Sequence, residues 1–454
     1  MGAAVMAAST VFAQESDSIM FRKISTEIMM HGKSYDNLRV LCKDVGHRIS
    51  GSKEAAKAVE WGKQAMEAAG ADRVFLQACD VPYWYRGKES LMLKVGVRGQ
   101  YRKVKALTLG NSQGTDGKPI EAAVLMVRNF QEFEKLTPAQ VKGKIIFFNY
   151  RFRQDFTFTF QGYGDGVVYR WATPSVAAAK GAVGVIIRSM STGADDFPHT
   201  GGMHYMDSVS NIKIPEMALG NYSADTLEQY FAEGKPVTAK MQSDCRMMPD
   251  KVRSYNVVGE IKGSEMPEKI ITVGGHLDSW DVGEGAQDDG AGCVQSIEII
   301  RAFKALGIKP KCTIRAVLFM NEENGTKGGE AYADSAVKNR ENHVLAIETD
   351  AGGFSPRGIG LEMSDAEKKK IRDYAPLFLP YGVYDFTREE GGTDIGPMKR
   401  KLNVPLAGLL PDSQRYFDVH HTNNDVFENV NHRELKLGSV VLAQLIWLVD
   451  QKGL

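Results

Sequence analysis

The chain has 454 residues, and its 56 Lys and Arg residues balance its 56 Asp and Glu residues, so its formal net charge is zero. This balance argues against a strongly basic nucleic-acid-binding protein and against an acidic disordered tail. Hydrophobic residues make up 43% and charged residues 25%, which are ordinary values for a globular protein, and the length predicts two or three domains.

The N-terminal segment, residues 1–13, has the character of the last part of a secretory signal peptide. It is small and apolar, and it ends in the small-x-small pattern Val11–Ala13 before polar residues begin. The basic start of a signal peptide is missing, because no Lys or Arg precedes Arg22, and a disordered tail is the alternative. The segment predicts export to the periplasm or the medium. No later stretch has the 18 or so continuous apolar residues that a membrane span needs.

Two segments with different patterns follow. Residues 20–91 are predicted to begin the main domain, and they include a helix at Glu54–Ala69 that Ser52 can cap. Residues 92–245 contain short β-type runs, such as Lys144–Phe148 and Val183–Arg188, between turn-rich stretches. This second segment predicts an inserted β-rich domain.

Residues 246–454 show an alternation of strands and helices, which predicts an α/β fold with a mixed, mostly parallel sheet and helices on both faces. The predicted helices are Ala291–Leu306 and Leu435–Val449. The predicted strands are Lys269–Val273, Cys312–Phe319, His343–Ile347 and Val404–Leu410.

Three of these strands are each followed by residues that can bind a metal ion or move a proton. The first leads to His276 and Asp278, the second to the pair Glu322 and Glu323, and the third to Asp350. The carboxyl ends of parallel strands line the ligand crevice of an open α/β sheet. Asp288–Asp289, in a Gly-rich loop, and His420–His421, late in the chain, are further candidates. Each feature alone is commonly a turn or a solvated surface, but their joint placement predicts a metal or acid–base site.

A set of His, Asp and Glu residues without Cys suits a hydrolytic zinc site with open positions. Two metal ions need a carboxylate that bridges them and a shared water molecule. One of the adjacent carboxylates Glu322 and Glu323 can bind metal while the other moves protons, because neighbouring residues at a strand end point to different sides. Asp278 can accept the second imidazole N–H of His276. The candidate ligands are His276, Asp288, Glu323, Asp350 and one of the two late His residues.

The stretches His276–Gly283 and Gly285–Gly292 resemble the metal-binding block of the co-catalytic zinc exopeptidases, the aminopeptidase and glutamate-carboxypeptidase-like family. Trp280–Gly283 is especially similar to the carboxypeptidase Q branch. The motifs Gly46–Ser52, Asn321–Glu323, Glu348–Asp350 and His420–Thr422 stand in the order of the family. The resemblance implies the phosphorylase/hydrolase-like fold of these peptidases, a protease-associated domain inserted at 92–245, and a catalytic zinc-peptidase domain at 246–454.

The resemblance also assigns roles. Glu322 would be the general base and Asp278 the partner of His276, and a cis bond is expected between Asp288 and Asp289. His421 is preferred to His420 because the family ligand stands directly before Ser or Thr. The implied cofactor is two zinc ions per chain, bridged by Asp288, with the ligands His276, Asp288, Glu323, Asp350 and His421.

The implied activity is that of an exopeptidase acting on dipeptides or short peptides. A carboxypeptidase Q-like dipeptidase is favoured, and an aminopeptidase is the alternative, since Arg388 and its neighbours Glu389 and Glu390 offer both kinds of charge. Thr393, Asp394 and Arg388 are candidate substrate contacts, with a Gly-rich surface turn as the alternative. A different zinc amidohydrolase or glutaminyl cyclase, and a catalytically silent binding protein, remain further alternatives. The branch often forms homodimers, so a homodimer is expected.

Overall fold

The computed structural model describes the backbone of residues 2–454 and the side chains of residues 17–454. The side chains of the predicted signal peptide therefore lie outside the described residues. Within the described part of the chain, no helix has both the length and the apolar character that a membrane crossing requires.

The strands form two large mixed sheets and one short two-stranded ribbon. In chain order they are β1 (Arg73–Val81), β2 (Trp84–Tyr85), β3 (Glu89–Val95), β4 (Arg102–Val104), β5 (Ala106–Thr108), β6 (Ile120–Val127), β7 (Ile145–Phe148), β8 (Gly184–Arg188), β9 (Glu216–Leu219), β10 (Val237–Ser243), β11 (Arg246–Met247), β12 (Val252–Ile261), β13 (Met266–His276), β14 (Cys312–Phe319), β15 (Asn342–Glu348), β16 (Pro356–Glu362) and β17 (Leu406–Pro411).

The helices connect these strands and cover the sheets. In chain order they are α1 (Gly2–His31), α2 (Ser34–Val40), α3 (Lys53–Ala68), α4 (Phe130–Glu134), α5 (Pro138–Val141), α6 (Thr159–Gly166), α7 (Val168–Trp171), α8 (Thr173–Ala179), α9 (Asn221–Ala232), α10 (Ala291–Ala305), α11 (Lys327–Asn339), α12 (Asp365–Asp373), α13 (Ala375–Phe378), α14 (Gly396–Leu402), α15 (Tyr416–Val419) and α16 (His432–Lys452).

The first sheet, which we call the central sheet, has the strand order β1-β12-β14-β13-β15-β17-β16. Its strands β14, β13, β15 and β17 are parallel, and they are the four strands that the sequence predicts. The other three strands pair antiparallel at the two sides of this group. Edge strands such as β16 were not predicted from the sequence. The prediction of a mixed α/β sheet is confirmed, with three parallel and three antiparallel strand pairs.

Helices cover both faces of the central sheet because its strands are apolar on both sides. All eight residues of β14 are buried, which is the pattern of a strand between two helical layers. Ala316 and Leu318 pack in the core that α1, α3, α10 and α16 share. Val317 and Phe319 point the other way, into the core formed with α11 and α14.

The second sheet has the strand order β4-β3-β10-β6-β7-β8-β9-β5, and β6 to β9 run parallel within it. Its strand β7 is buried over all four residues. Ala177 of α8 packs on one face with Ile146, whereas Leu227 of α9 packs on the other face with Phe147. The segment predicted as a β-rich insert is therefore layered α/β. Its assignment as a protease-associated domain stays a prediction.

Candidate metal centre and active site

Strands β14, β13 and β15 lie side by side, and the residues at their carboxyl ends form the centre of the site. Strand β13 ends at His276, strand β14 is followed by Glu322 and Glu323, and strand β15 is followed by Asp350. Because the three strands are parallel neighbours, their carboxyl ends meet at one edge of the sheet.

The carboxylate of Asp288 lies between two imidazoles. Its Oδ1 is 3.0 Å from Nε2 of His276, and its Oδ2 is 3.0 Å from Nε2 of His421. Oδ1 of Asp350 lies 3.6 Å from the same nitrogen of His276. Oε2 of Glu323 lies 3.2 Å from Nε2 of His421. The structure thus brings together all five residues proposed from the sequence as ligands, in two groups that share Asp288.

Two carboxylate oxygens of this cluster are buried without a hydrogen-bond donor. Oδ2 of Asp288 and Oδ1 of Asp350 accept no hydrogen bond, although each faces an imidazole nitrogen. A buried polar atom without a partner costs free energy, so a cation at these points would stabilise the arrangement. Carboxylate oxygens and imidazole nitrogens are ligands that zinc accepts. The residues present therefore fit bound metal ions.

The titration of these groups shows how strongly negative charge is concentrated here. Burial raises the pKa of Glu323 to about 8 and the pKa of Asp350 to about 7. Burial also acts on Asp288, but the neighbouring imidazoles of His276 and His421 outweigh it and hold the pKa of Asp288 well below its usual range. Burial opposes the charge of His421 as well, yet Glu323 and Asp288 raise its pKa to about 9. Apart from the backbone N–H of Trp280, which donates to Glu323 at 3.1 Å, the groups that stabilise these carboxylates are imidazoles.

The loop that carries Asp288 is held by two other carboxylates. Asp425 accepts the backbone N–H groups of Gln287 at 2.7 Å and of Asp288 at 3.1 Å. Asp289 accepts the backbone N–H of His276 at 3.0 Å, which ties this loop to the end of β13. The peptide bond between Asp288 and Asp289 is cis, as the family resemblance implied. Asp425 carries no signal in the sequence and was not predicted.

The two late His residues occupy different positions. The ring of His420 stacks on that of His421 with 3.5 Å between centroids. Nε2 of His420 is 3.7 Å from Asp288, whereas Nε2 of His421 approaches both Asp288 and Glu323 to within 3.2 Å. His420 also belongs to a group with metal-binding spacing, but the shorter distances favour His421.

The structure changes the interpretation of Asp278. Nδ1 of His276 lies 2.9 Å from the backbone carbonyl oxygen of Asp278 and 3.8 Å from its carboxylate. The carboxylate instead accepts the backbone N–H groups of Asn321 at 2.6 Å and Glu322 at 3.1 Å. Asp278 therefore orients His276 through its main chain, and its side chain fixes the segment that carries Glu322.

A family model described as peptidase family M28 matches residues 256–446. The chain is 34% identical to carboxypeptidase Q of Bos taurus over 417 residues, which are 92% of this chain and 85% of that protein. The chain belongs to peptidase family M28. Its similarity to carboxypeptidase Q and the prediction of a metallopeptidase are thereby confirmed.

Solved structures support the fold of this M28 peptidase over more than nine-tenths of the chain. The crystal structure of a peptidase M28 precursor from Shewanella amazonensis SB2B matches with a TM-score of 0.89 and 31% identity, over 96% of this chain and 97% of that chain. A zinc aminopeptidase from Bacillus subtilis shares the fold, with a TM-score of 0.62 and 20% identity over 91% of this chain and 93% of that chain.

A cavity of about 520 Å³ opens beside the metal-type residues of this M28 peptidase. Glu322 and the predicted contact Thr393 line it, but Arg388 and Asp394 do not belong to its lining. Arg388 donates to Asp385 at 2.9 Å and stacks on Phe158. Asp394 is fully buried, and burial raises its pKa well above the usual range. These two residues therefore stand outside the cavity wall, and their contact with substrate stays a prediction without support from the cavity.

The wall of the cavity opposite the central sheet comes from the second sheet and its helices. It includes Phe160 and Tyr163 of α6 and Arg170 of α7. These residues were not predicted, because α7 is a single turn and shows no periodic pattern. A basic residue near aromatic residues in this segment was the only signal, and it is too common to single out Arg170.

Proposed function

We propose that this M28 peptidase is a zinc-dependent exopeptidase that hydrolyses dipeptides or short peptides, with a carboxypeptidase Q-like dipeptidase activity favoured. The observation that carries the proposal is the pair of imidazole–carboxylate groups that share Asp288. The similarity to carboxypeptidase Q over 92% of the chain supports it.

Two zinc ions per chain are the cofactor of this proposal. His276 and Asp350 would hold one ion, Glu323 and His421 would hold the other, and Asp288 would bridge them. When bound, such a pair of ions polarises the scissile carbonyl and lowers the pKa of the attacking water. The donor set contains nitrogen and oxygen but no sulfur, which suits a hydrolytic site.

Glu322 is the general base of the proposed reaction. It lines the cavity beside Glu323, and its backbone N–H is fixed by Asp278. Glu322 accepts the proton of the attacking water and then donates it to the leaving amine, so that one carboxylate serves as base and acid in turn. Asp278 is a positioning residue in this scheme, since it holds the backbone of Glu322 and orients the ring of His276.

The size and walls of the cavity favour a short substrate. Aromatic side chains of Phe160, Tyr163 and Phe417 bound a space of about 520 Å³. An aminopeptidase is the second candidate, because Glu390 also lines this space and offers a carboxylate for a substrate ammonium group. The two candidates differ in the end of the peptide that the enzyme reads.

Metal analysis combined with a small substrate panel tests the proposal. The panel contains a free dipeptide, the same dipeptide with an acetylated N-terminus, and the same dipeptide with an amidated C-terminus. We expect bound zinc and loss of cleavage on amidation; loss on acetylation as well identifies a strict dipeptidase. Loss on acetylation alone identifies an aminopeptidase. Absence of both zinc binding and cleavage contradicts the proposal, and conversion of peptides with N-terminal Gln indicates a cyclase instead.

We also propose export and a homodimer, the first on the N-terminal segment alone and the second on the family resemblance. Cell fractionation followed by N-terminal sequencing of the mature protein tests export. Light scattering of the purified protein gives the mass of the particle and tests the dimer.

A further inference from the structure

Five arginines are buried in the described part of the chain: Arg48, Arg86, Arg170, Arg188 and Arg315. Three of them form ion pairs with Asp or Glu residues. Arg48 donates instead to backbone carbonyl groups, for example those of Leu277 and Gly285. Among the five, Arg170 alone has neither a carboxylate nor a carbonyl oxygen as an acceptor.

The guanidinium of Arg170 is poorly satisfied although the residue is only 8% exposed. Its Nη2 donates to the hydroxyl oxygen of Tyr163 at 2.7 Å, and its Nε has no partner. Its Nη1 lies 3.4 Å from Nδ1 of His421, which also lies 3.3 Å from the carbonyl oxygen of Thr200. With Nε2 of His421 as the proposed metal ligand, Nδ1 would carry the ring proton toward the carbonyl oxygen of Thr200 and would accept nothing from Arg170.

The surroundings leave room for this unpaired cation and for an anion beside it. A Cβ at Gly201 would collide with the guanidinium, so the glycine at this position keeps the space open. Apart from the His residues, every other charged residue that lines the cavity is acidic. A buried cation without a partner is costly, and an anion that enters the cavity removes this cost.

We propose that Arg170 binds the C-terminal carboxylate of the peptide substrate, with the hydroxyl of Tyr163 as a second donor. The inference rests on the proposed exopeptidase function and specifies its substrate class: peptides with one residue beyond the scissile bond. The carboxylate carbon of such a residue is three bonds from the scissile carbonyl carbon. A group that reads it must therefore lie close to the metal centre, and Arg170 lies directly beside His421.

The chemistry of both side chains suits a carboxylate. The planar guanidinium offers parallel N–H donors to the two oxygens of a carboxylate. Burial raises the pKa of Tyr163, so this phenol stays protonated. Its oxygen accepts from Arg170, and its own proton is available for a substrate oxygen.

The test measures kcat/KM for a free dipeptide and for its C-terminal amide with the wild type, Arg170→Gln and Arg170→Lys. We expect the wild type to prefer the free acid and Arg170→Gln to lower kcat/KM for it about 10- to 100-fold, mainly through KM, the effect of one charge-assisted interaction. The preference for the free acid should then almost disappear. The kcat/KM of Arg170→Lys for the free acid should lie between those of the wild type and Arg170→Gln, since an ammonium keeps the charge but not the paired N–H donors of the guanidinium.

Two controls separate this role from a structural one. Arg128→Gln removes an exposed arginine of the same segment, 59% exposed, and should leave the preference unchanged. Zinc content is measured for each variant, because Arg170 lies next to His421. In a Glu322→Gln background, calorimetry with the free dipeptide should show weaker binding when Arg170→Gln is added.

The outcomes test the role of Arg170 separately from the proposed exopeptidase function. If the wild type prefers the free acid and Arg170→Gln keeps that preference, the assignment of Arg170 is wrong and the exopeptidase function stands. Equal losses for the acid and the amide would place Arg170 at the reacting carbonyl and also overturn the assignment. If the zinc-loaded wild type cleaves neither peptide, the proposed function itself is wrong.

Discussion

The central sheet and the second sheet contribute different chemistry to the same cavity. Most of the proposed metal ligands, and the proposed base, follow strands β13, β14 and β15 of the central sheet. The second sheet contributes Arg170 and Tyr163, which stand on short helices and hold no proposed metal ligand. The region around the central sheet is thus suited to catalysis, and the second sheet to recognition of the substrate.

The two regions also differ in what surrounds their buried carboxyl groups. Around the central sheet, carboxylate oxygens of Asp288 and Asp350 are buried without a hydrogen-bond donor, in a cluster that bound cations would stabilise. In the second sheet, the buried carboxyl of Glu216 has no cation within ion-pairing distance among the described residues. The first region should therefore respond to zinc, and the second to pH.

Removal of zinc should have the largest effect and should act unevenly. A chelator is expected to abolish activity and to lower the free energy of unfolding by about 4 kcal/mol for each zinc site, if free zinc was about 1,000-fold above its dissociation constant. Hydrogen exchange should show lost protection in residues 286–290 and at the end of β13. The core strand β7 should keep its protection, and equal loss in both sheets would contradict the division of roles.

The adjacent carboxylates Glu322 and Glu323 offer a matched pair for the next test. Glu322→Gln should lower kcat about 10²- to 10⁴-fold, the usual contribution of a general base, while zinc content stays at the wild-type level. Glu323→Gln should lower zinc content, since Glu323 lies against His421. Metal analysis and initial rates measure both effects. Near wild-type kcat in Glu322→Gln would exclude Glu322 as the base.

The sequence predicts the central sheet well because its signals are local. The four parallel strands are apolar runs, and metal-type residues follow three of them directly, so that adjacency in sequence becomes adjacency in space. The antiparallel edge strand β16 lacks such a signal. The second sheet was predicted as β-rich because helices as short as α7 show no periodicity.

The residues that the sequence analysis missed or misplaced depend on long-range packing. Asp425 acts on Asp288 from 137 positions away, and Arg170 meets His421 across 251 positions. Asp394 stands in a Gly-rich stretch that reads as a surface loop, yet its side chain is fully buried. No local pattern distinguishes such residues, because their partners are determined by the way the elements pack.

Arg48 tests how far the catalytic loops depend on one buried cation. Its guanidinium donates to the carbonyl oxygen of Leu277, which directly follows β13. It also donates to the carbonyl oxygens of Glu284 and Gly285, which lie shortly before Asp288, so it joins the two ends of this segment. Arg48→Met should lower the free energy of unfolding by about 3 kcal/mol, because buried carbonyl groups lose their donors, and should weaken zinc binding.

Arg48→Lys is the matched variant, since it keeps the charge without the planar fork, and it should recover part of the stability. Thermal unfolding and zinc titration measure both variants. If Arg48→Met binds zinc as tightly as the wild type, Arg48 does not position the metal-binding loops.

Glu216 provides the smallest expected effect and the one confined to the second sheet. Oγ1 of Thr173 lies 2.6 Å from Oε1 of Glu216 and 2.9 Å from the carbonyl oxygen of Tyr169. A hydroxyl has one proton, so when it is donated to Tyr169 the carboxyl of Glu216 must be the donor to Thr173. Burial accordingly raises the pKa of Glu216 well above its usual range.

A carboxyl whose pKa is higher in the folded than in the unfolded chain loses its stabilising effect as the pH rises above the unfolded value, about 4.3 for Glu. In Glu216→Gln, the amide has nearly the shape of the neutral carboxyl, and its N–H replaces the carboxyl O–H as the donor. The amide does not titrate. The difference in Tm between the variant and the wild type should therefore shift in favour of the variant when the pH is raised from about 5 to about 8. Both proteins are measured saturated with zinc. The shift should be smaller than the changes expected at the central sheet. A Tm difference that is the same at both pH values would mean that Glu216 is already ionised in the folded protein.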